Sequence, residues 1–404
     1  MIRFYRWLLL FGVWLLYLSF GLVAAGFAPI VRLVEADLSI SHAAMGSIMG
    51  AWQLTYIVSA IPCGILLDRI GSRAALTLGA FIIAASALAR GLAPDYFTML
   101  LAVMLFGIGG PIISAGAPKV ITQWFDGQSR GLAMGIYMTG PAVGGIIALT
   151  MTHSVLLPWM ESWRLLMFFI AGFGVFAGIA WFAIASNPAM TQSETEHRAS
   201  TNLPQGQVLR RLIREPAVLL VLLMSIGVFF FNHGLNSWLP ELLANGGMSL
   251  ISAGYWASIP TVIGIAGSLI IPRLATPGRR FHILFGLLAL ALIASVFLQF
   301  QSEPLMFFGL FVQGIAKSSL MTVLILILVE LPGVGDRYAG VASGLFFSAA
   351  EIGGVLGPVT LGLLYDYSED FTTSLALLSG IAIVLILAST LLSRILKSKE
   401  NKIY

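Results

Sequence analysis

Charge is what this chain has least of. Of its 404 residues only 10% are Asp, Glu, Lys or Arg, while 58% are hydrophobic; a soluble domain carries about 25% charged residues. That shortage excludes a soluble globular domain. The net charge of +4 is not a nucleic-acid signal, because the basic residues fall in loops on one side. Cysteine is almost missing as well. Cys63 stands alone, which leaves no internal disulfide and no cysteine-built metal site. Enzymatic signatures are absent too: no phosphate-binding P-loop, no H-E-x-x-H and no nucleophile elbow. Energy from bound ATP therefore has no support, no cofactor is implied, and a gradient is the default source. Nothing resembles a channel's selectivity filter.

Long apolar runs are what the chain does have. A crossing needs ~20 apolar residues, and helices are required because an open sheet would leave backbone groups unsatisfied in lipid. The sequence predicts an all-α polytopic membrane protein with twelve transmembrane helices. They run roughly over Trp7–Val31, Ala43–Leu67, Ala74–Gly91, Phe97–Ile121, Gly131–Leu156, Arg164–Ala185, Ala217–Leu243, Ser252–Ile271, Ile283–Phe300, Leu305–Leu331, Ala339–Leu364 and Thr373–Leu396. Arg3 and Arg6 before the first run resemble the start of a signal peptide. The run is too long for one, and no small-residue cleavage site follows, so it reads as a retained first helix.

Most connections are short. The exception is 186–215, a polar stretch after the sixth helix, which reads as a cytoplasmic linker. It divides the chain into an N-terminal six-helix bundle, 1–185, and a C-terminal one, 216–404. Orientation follows from Lys and Arg placement. With the N-terminus inside, only Arg32, Arg90 and Arg164 of the 22 basic residues fall outside, and Lys317 is within a helix. This places both termini in the cytoplasm and the protein in the cell's inner (plasma) membrane.

The halves repeat. Gly131-Leu-Ala-Met-Gly135 followed by Gly144-Gly145 matches Gly340-Val-Ala-Ser-Gly344 followed by Gly353-Gly354. Leu105-Phe106 and Gly109 match Leu310-Phe311 and Gly314, and Pro29 and Pro240 end matching stretches of the first and seventh helices. The bundles are thus expected to be pseudo-symmetric. Internal duplication of this kind is a transporter signature, with substrate bound near the midplane.

Between the second and third helices lies Gly64-Ile-Leu-Leu-Asp68-Arg69-Ile-Gly71-Ser-Arg73. It resembles the loop signature of the major facilitator superfamily, G-x-x-x-D-R-x-G-x-R. The glycines suit close approach and a sharp turn, and Asp68 suits a cation or a helix N-terminus. The resemblance implies a gating loop of Gly64, Asp68, Arg69, Gly71 and Arg73 that latches the halves together. The counterpart from Pro272 to Arg280 lacks the Asp. Trp238-Leu-Pro240, Gly247-Met-Ser249 and Ala253-Gly254 resemble the cyanate and nitroimidazole permease branch, as do Trp124-Phe125 and Arg130-Gly131. No intramembrane arginine pair of the nitrate-porter kind is present on the second and eighth helices.

Two charges lie near the middle of predicted crossings, Lys317 and Glu351. A charge at the bilayer centre costs roughly 2.5–3.5 kcal/mol on insertion scales, so it marks a partner or a path. In the duplication Ile112 stands where Lys317 stands and Ala142 where Glu351 stands, so neither charge belongs to the shared scaffold. Lys317 is expected to attract a substrate anion, with Glu351 tuning it or carrying a proton. The competing expectation is a closed Lys317–Glu351 ion pair between two helices. The resemblance implies that the seventh helix lines the cavity, where Asn232, His233, Asn236 and Trp238 suit a small oxyanion or amide. Gln53, Tyr56, Tyr137, Thr139 and Gln313 complete the expected pocket. No second His or carboxylate at ligand spacing suggests a metal. Trp52, Trp256 and Trp238 suit an aromatic wall that also holds an organic cation. Gly109-Gly110-Pro111, Gly140-Pro141 and Gly357-Pro358 are expected to interrupt their helices.

The residues and the resemblance together imply a secondary transporter of a small solute working by alternating access. A small anion or organic acid is the expected substrate, with or without symported protons, and a monomer in the bilayer is the expected form. An organic-cation carrier or drug exporter of the same fold is the alternative, and a polytopic membrane enzyme a remote one.

Overall fold

The computed structural model describes residues 2–125, 127–187, 212–276, 278–300, 302–331 and 334–400. Among them are only helices and turns, with no strand. Twelve helices are long and apolar enough to cross a membrane: α1 (Phe4–Leu38), α2 (His42–Leu67), α3 (Arg69–Leu92), α4 (Tyr96–Trp124), α5 (Leu132–Met160), α6 (Trp163–Ile184), α7 (Pro216–Asn245), α8 (Leu250–Pro272), α9 (Arg280–Phe297), α10 (Glu303–Val329), α11 (Ala342–Ser368) and α12 (Thr372–Leu396). Large apolar side chains such as Val58 and Phe97 stay exposed, as lipid-facing positions would. Most of the expected linker, residues 188–211, lies outside the described residues.

Local chemistry sets several helix starts. Ser41 accepts the Ala44 amide ahead of α2, Ser162 accepts the Arg164 amide ahead of α6, and Asp95 and Thr98 form a reciprocal capping box at α4. Pro216 opens α7 where a missing N–H does no harm.

Several expectations need correction. The helices at Pro111, Pro141 and Pro358 are not interrupted; each proline sits inside a continuous helix. One missing donor in a long, packed helix leaves enough hydrogen bonds to carry it through. Pro29 opens a 3-10 turn, Ala28–Ile30, from which α1 resumes over Val31–Leu38. In α5 the outer end runs through a π turn, Thr152–Leu156. The segment between α2 and α3 is a corner rather than a loop. Helical geometry breaks only at Gly71, with φ 83° and ψ 161°, a conformation that favours glycine.

The chain forms two compact units, Met1–Thr201 with Ser249–Tyr255, and Asn202–Met248 with Trp256–Tyr404. In unit 1, α1 packs along α5, α4 along the α2–α3 pair, and α6 on α1 and α3. In unit 2, α7 packs along α11, and α9 along α10 and α12. The α1–α5 and α7–α11 seams use one device. A Cβ on Gly144 would overlap the Leu18 carbonyl and crowd the Leu22 amide; a Cβ on Gly353 would overlap the Ile226 carbonyl and crowd the Phe230 amide. Backbones approach this closely only where the side chain is absent.

Unit 1 also buries Arg90 at 2% exposure. It donates to the Val23 carbonyl at 2.8 Å and lies between the rings of Phe27 and Phe106, at 4.9 and 5.5 Å. Nearby, Arg164 ties the start of α6 to Asp37 at 2.7 Å and to the Ala93 carbonyl at 2.6 Å. Both arginines hold helix ends together.

Candidate functional site

Unit 2 gathers buried and half-buried polar groups on α7, α8, α10 and α11. Gln313 and Lys317 are four residues apart and share one face of α10. Lys317 Nζ donates to Asn236 Oδ1 of α7 at 3.0 Å and reaches Thr261 Oγ1 of α8 at 3.5 Å. Asn236 presents its carbonyl because an ammonium only donates. His233 lies one turn before Asn236 on α7, its ring 5.3 Å from Phe229 and within electrostatic reach of Lys317. Asn232, beside it, is half-buried. Gln313 is fully buried, and neither of its amide heavy atoms has a partner. Glu351 on α11 is 5% exposed, and its Oε2 has none either.

The expected alternative of a closed Lys317–Glu351 pair is corrected by this geometry. Among the described ion pairs none joins them. Neutral dipoles surround Lys317 instead. They relieve part of its desolvation but cancel no charge. One ammonium proton remains for an acceptor, since only two are engaged. An arriving anion therefore gains more here than in water, because the low local dielectric strengthens the attraction.

Trp238 takes a different role. It is completely buried, donates its indole N–H to the Pro358 carbonyl at 2.9 Å and packs on Phe371. That makes it part of the α7–α11 seam. Trp256 meets Phe307 edge-on at 6.0 Å. The remaining expected residues belong to unit 1. Gln53 is buried, Tyr56 abuts Trp52 at 6.0 Å, and Tyr137 abuts Tyr17 at 5.1 Å. Thr139 accepts the Trp14 indole N–H at 3.0 Å. Trp52, Tyr56, Phe20 and Phe106 form an aromatic cluster, and its one charged neighbour among the described contacts is Arg90 over the far ring, Phe106. Thr261 was not anticipated. A single threonine in an apolar run carries no signal until its neighbours are known.

The duplicated register also shifts. A Cβ on Gly107 would meet Thr55 at 2.9 Å and the Trp52 carbonyl carbon at 3.0 Å; a Cβ on Gly314 would meet Ile263 at 2.7 Å and the Pro260 carbonyl oxygen at 2.8 Å. The two glycines hold the same place. Lys317, three residues after Gly314, therefore answers to Gly110, three residues after Gly107, and not to Ile112. Ile112 instead packs with Cys63, Leu67 and Ala75. Unit 1 still has no charge at the corresponding place.

In the gating motif, Gly71 provides the corner. Gly64 does not serve close approach, since a Cβ there would meet nothing within 4 Å. Arg69 is exposed. Arg73 lies over the Phe182 ring at 4.2 Å, and its carbonyl accepts the Trp181 indole N–H at 3.2 Å. The side chain of Asp68 lies outside what the structure describes. Among the described residues no group of three or more His, Cys, Asp or Glu could hold a metal ion.

An all-helical chain of twelve crossings, duplicated and holding an unpaired cation in a crossing, defines a membrane transporter. The sequence profile of the Major Facilitator Superfamily matches residues 9–358, and the chain belongs to that superfamily as a secondary transporter of small solutes. It is 28% identical over 384 residues to a quinolone resistance transporter of Acinetobacter baumannii, covering 88% of this chain and 86% of that one. It is 23% identical over 375 residues to the hexuronate transporter of Bacillus subtilis, covering 88% and 87%. Its fold is similar to that of the nucleoside transporter NupG, with a TM-score of 0.80 at 13% identity over 96% and 99% of the two chains.

Proposed function

We propose that the protein carries a small organic acid, a hydroxylated carboxylate above all, and that Lys317 is its anion anchor. The observation that carries this reading is the hydrogen-bonded Lys317 ammonium without a counter-ion. The hexuronate relative supports it, because a hexuronate is a carboxylate of suitable size. Asn236, Thr261, Gln313, Asn232 and His233 supply donors and acceptors for the rest of the solute. Glu351 suits a proton carrier that alternates with the substrate, which is the symport form of the reading. Gly64 to Arg73 acts as the gating latch. The positive-inside bias supports an inner-membrane location with both termini cytoplasmic. One chain carries both repeats, so a monomer suffices. The bundles at 1–185 and 216–404, joined by 186–215, act as the rocking bodies. The patches similar to the cyanate and nitroimidazole permease branch support a small-anion carrier, although Trp238 has a packing role of its own.

A second reading, an organic-cation carrier or drug exporter, takes support from the quinolone-resistance relative and from the unpaired Glu351. Proteoliposome uptake separates the two. Hexuronates and simple hydroxy acids should compete with one another, and quaternary amines should not. Lys317→Met should reduce acid uptake by at least tenfold, or about 1.4 kcal/mol, with the thermal unfolding midpoint unchanged or raised, since a buried unpaired charge is removed. Full uptake by Lys317→Met, or competition by amines alone, would sink the acid reading.

A further inference from the structure

A second polar cluster lies in unit 1, at the end that carries the N-terminus. Tyr5 donates to the Ile184 carbonyl at 2.9 Å, meets the Trp124 ring edge-on at 5.2 Å and is within electrostatic reach of Arg73. Arg73 lies over Phe182. Arg6 lies over Phe125 at 5.4 Å and over Trp7 at 5.8 Å. The starts of α1 and α3 and the ends of α4 and α6 thus meet in one place.

This cluster is incomplete. Arg6 Nε, Arg73 Nε and Trp124 Nε1 are buried donors with no acceptor, and Gln123 Oε1 is a buried acceptor with no donor. Among the described ion pairs none includes Arg6 or Arg73. Packed interiors rarely leave several such atoms side by side. Both guanidinium groups lie over aromatic rings, and their terminal N–H groups suit a planar or tetrahedral oxyanion. The donors ask for a phosphate and the acceptor for a hydroxyl. Beside the cluster, Phe4 is 77% and Trp7 37% exposed. An apolar flank of that kind suits an acyl chain and does nothing for a dissolved ion.

We propose that this end of unit 1 binds the headgroup of an anionic phospholipid, with phosphate on Arg6, Arg73 and Trp124 and a headgroup hydroxyl on Gln123. The basic bias assigns this end to the cytoplasmic leaflet, where anionic lipids collect. The site shares Arg73 with the proposed gating latch and nothing with the solute site, so its test reads lipid binding and not transport.

The test is thermal unfolding of the full chain in detergent with short-chain phosphatidylglycerol, phosphatidylcholine or inorganic phosphate added. A ligand of the folded state raises the midpoint with its occupancy. Phosphatidylglycerol should raise it and phosphatidylcholine should not. Arg6→Gln with Arg73→Gln should lose at least half of the rise. Arg214→Gln with Arg279→Gln, which removes the same two charges from exposed positions in unit 2, should keep it. If the double variant does not fold, Arg6→Lys serves instead, because it keeps the charge and loses the flat fork; it too should lose part of the rise. Equal effects of the two lipids, or an undiminished rise in the variants, would overturn the proposal. A full rise with inorganic phosphate alone would overturn the lipid as its source.

Discussion

The α1–α5 seam of unit 1 and the α7–α11 seam of unit 2 are built alike and furnished differently. Each closes on a glycine against a carbonyl and an amide, Gly144 on Leu18 and Leu22, Gly353 on Ile226 and Phe230. Each is pinned by an indole N–H, Trp14 to Thr139 and Trp238 to Pro358. Around the first seam the polar groups are phenols and amides on aromatic rings. Around the second stand Lys317, Glu351 and His233. Duplication fixed the backbone contacts, because close helix packing tolerates no side chain there. Positions beside the contact were free to diverge, and the charge that suits an anionic passenger sits on one side of the duplication only.

The largest effect expected from breaking this comparison is at the glycines. Gly144→Val and Gly353→Val should each destabilise by about 1–3 kcal/mol or more, the range for overpacking, read as a lower unfolding midpoint and poor expression. If only one seam proves sensitive, their equivalence is wrong. Lys317→Met comes next, with lost acid uptake in an intact fold. Its sharpening partner is Gly110→Ala. A Cβ there would meet Phe20 at 3.3 Å and Tyr56 at 3.6 Å, so the variant should fold and keep most of its uptake. Loss equal to that of Lys317→Met would contradict the asymmetry between the units.

Trp238→Phe should have a smaller effect. It leaves the Pro358 carbonyl without its buried donor, a loss of about 1 kcal/mol in stability, and it should leave the apparent affinity for the acid unchanged. A raised KM would return Trp238 to the binding site. Trp14→Phe should do less than Trp238→Phe, because Trp14 donates to a hydroxyl that itself bonds the Ile136 carbonyl. The smallest effect belongs to Asp95, at the exposed start of α4. The Thr98 backbone amide, and then its hydroxyl, hold the Asp95 carboxyl below its ordinary value. A group depressed in the folded state adds stability above its unfolded pKa and loses it as pH falls through the folded one. Asp95→Ala should therefore lower the unfolding midpoint slightly at neutral pH, and the difference should close in acid. A difference that persists at low pH would show that the carboxylate charge is not responsible.

Much of the fold was legible because bilayer thickness imposes a length on every crossing. All twelve spans were foreseen, and most ends fell within a few residues of the observed ones. The misses were local. Proline promised a break at Pro111, Pro141 and Pro358, whereas the helix runs on in each case. Gly64 and Gly71 looked alike in the motif, yet only Gly71 adopts the left-handed corner. At the candidate site Lys317, Glu351, Asn236 and Gln313 stood out as polar residues in apolar runs. Thr261 did not, since threonine is unremarkable in a membrane helix, and Trp238 pointed elsewhere than expected.

The sequence by itself determined the number of crossings, the duplication and the place of Lys317 and Glu351 near the middle of two crossings. Those depend on residue type and spacing along one chain. Only the tertiary structure decided that Lys317 rests on Asn236 and Thr261 and not on Glu351, that Gln313 is left without a partner, and that Gly110 is the counterpart of Lys317. Helical periodicity says which residues share a face. Which neighbour that face meets, and at what height, is set by the close approach of glycine backbones on different helices.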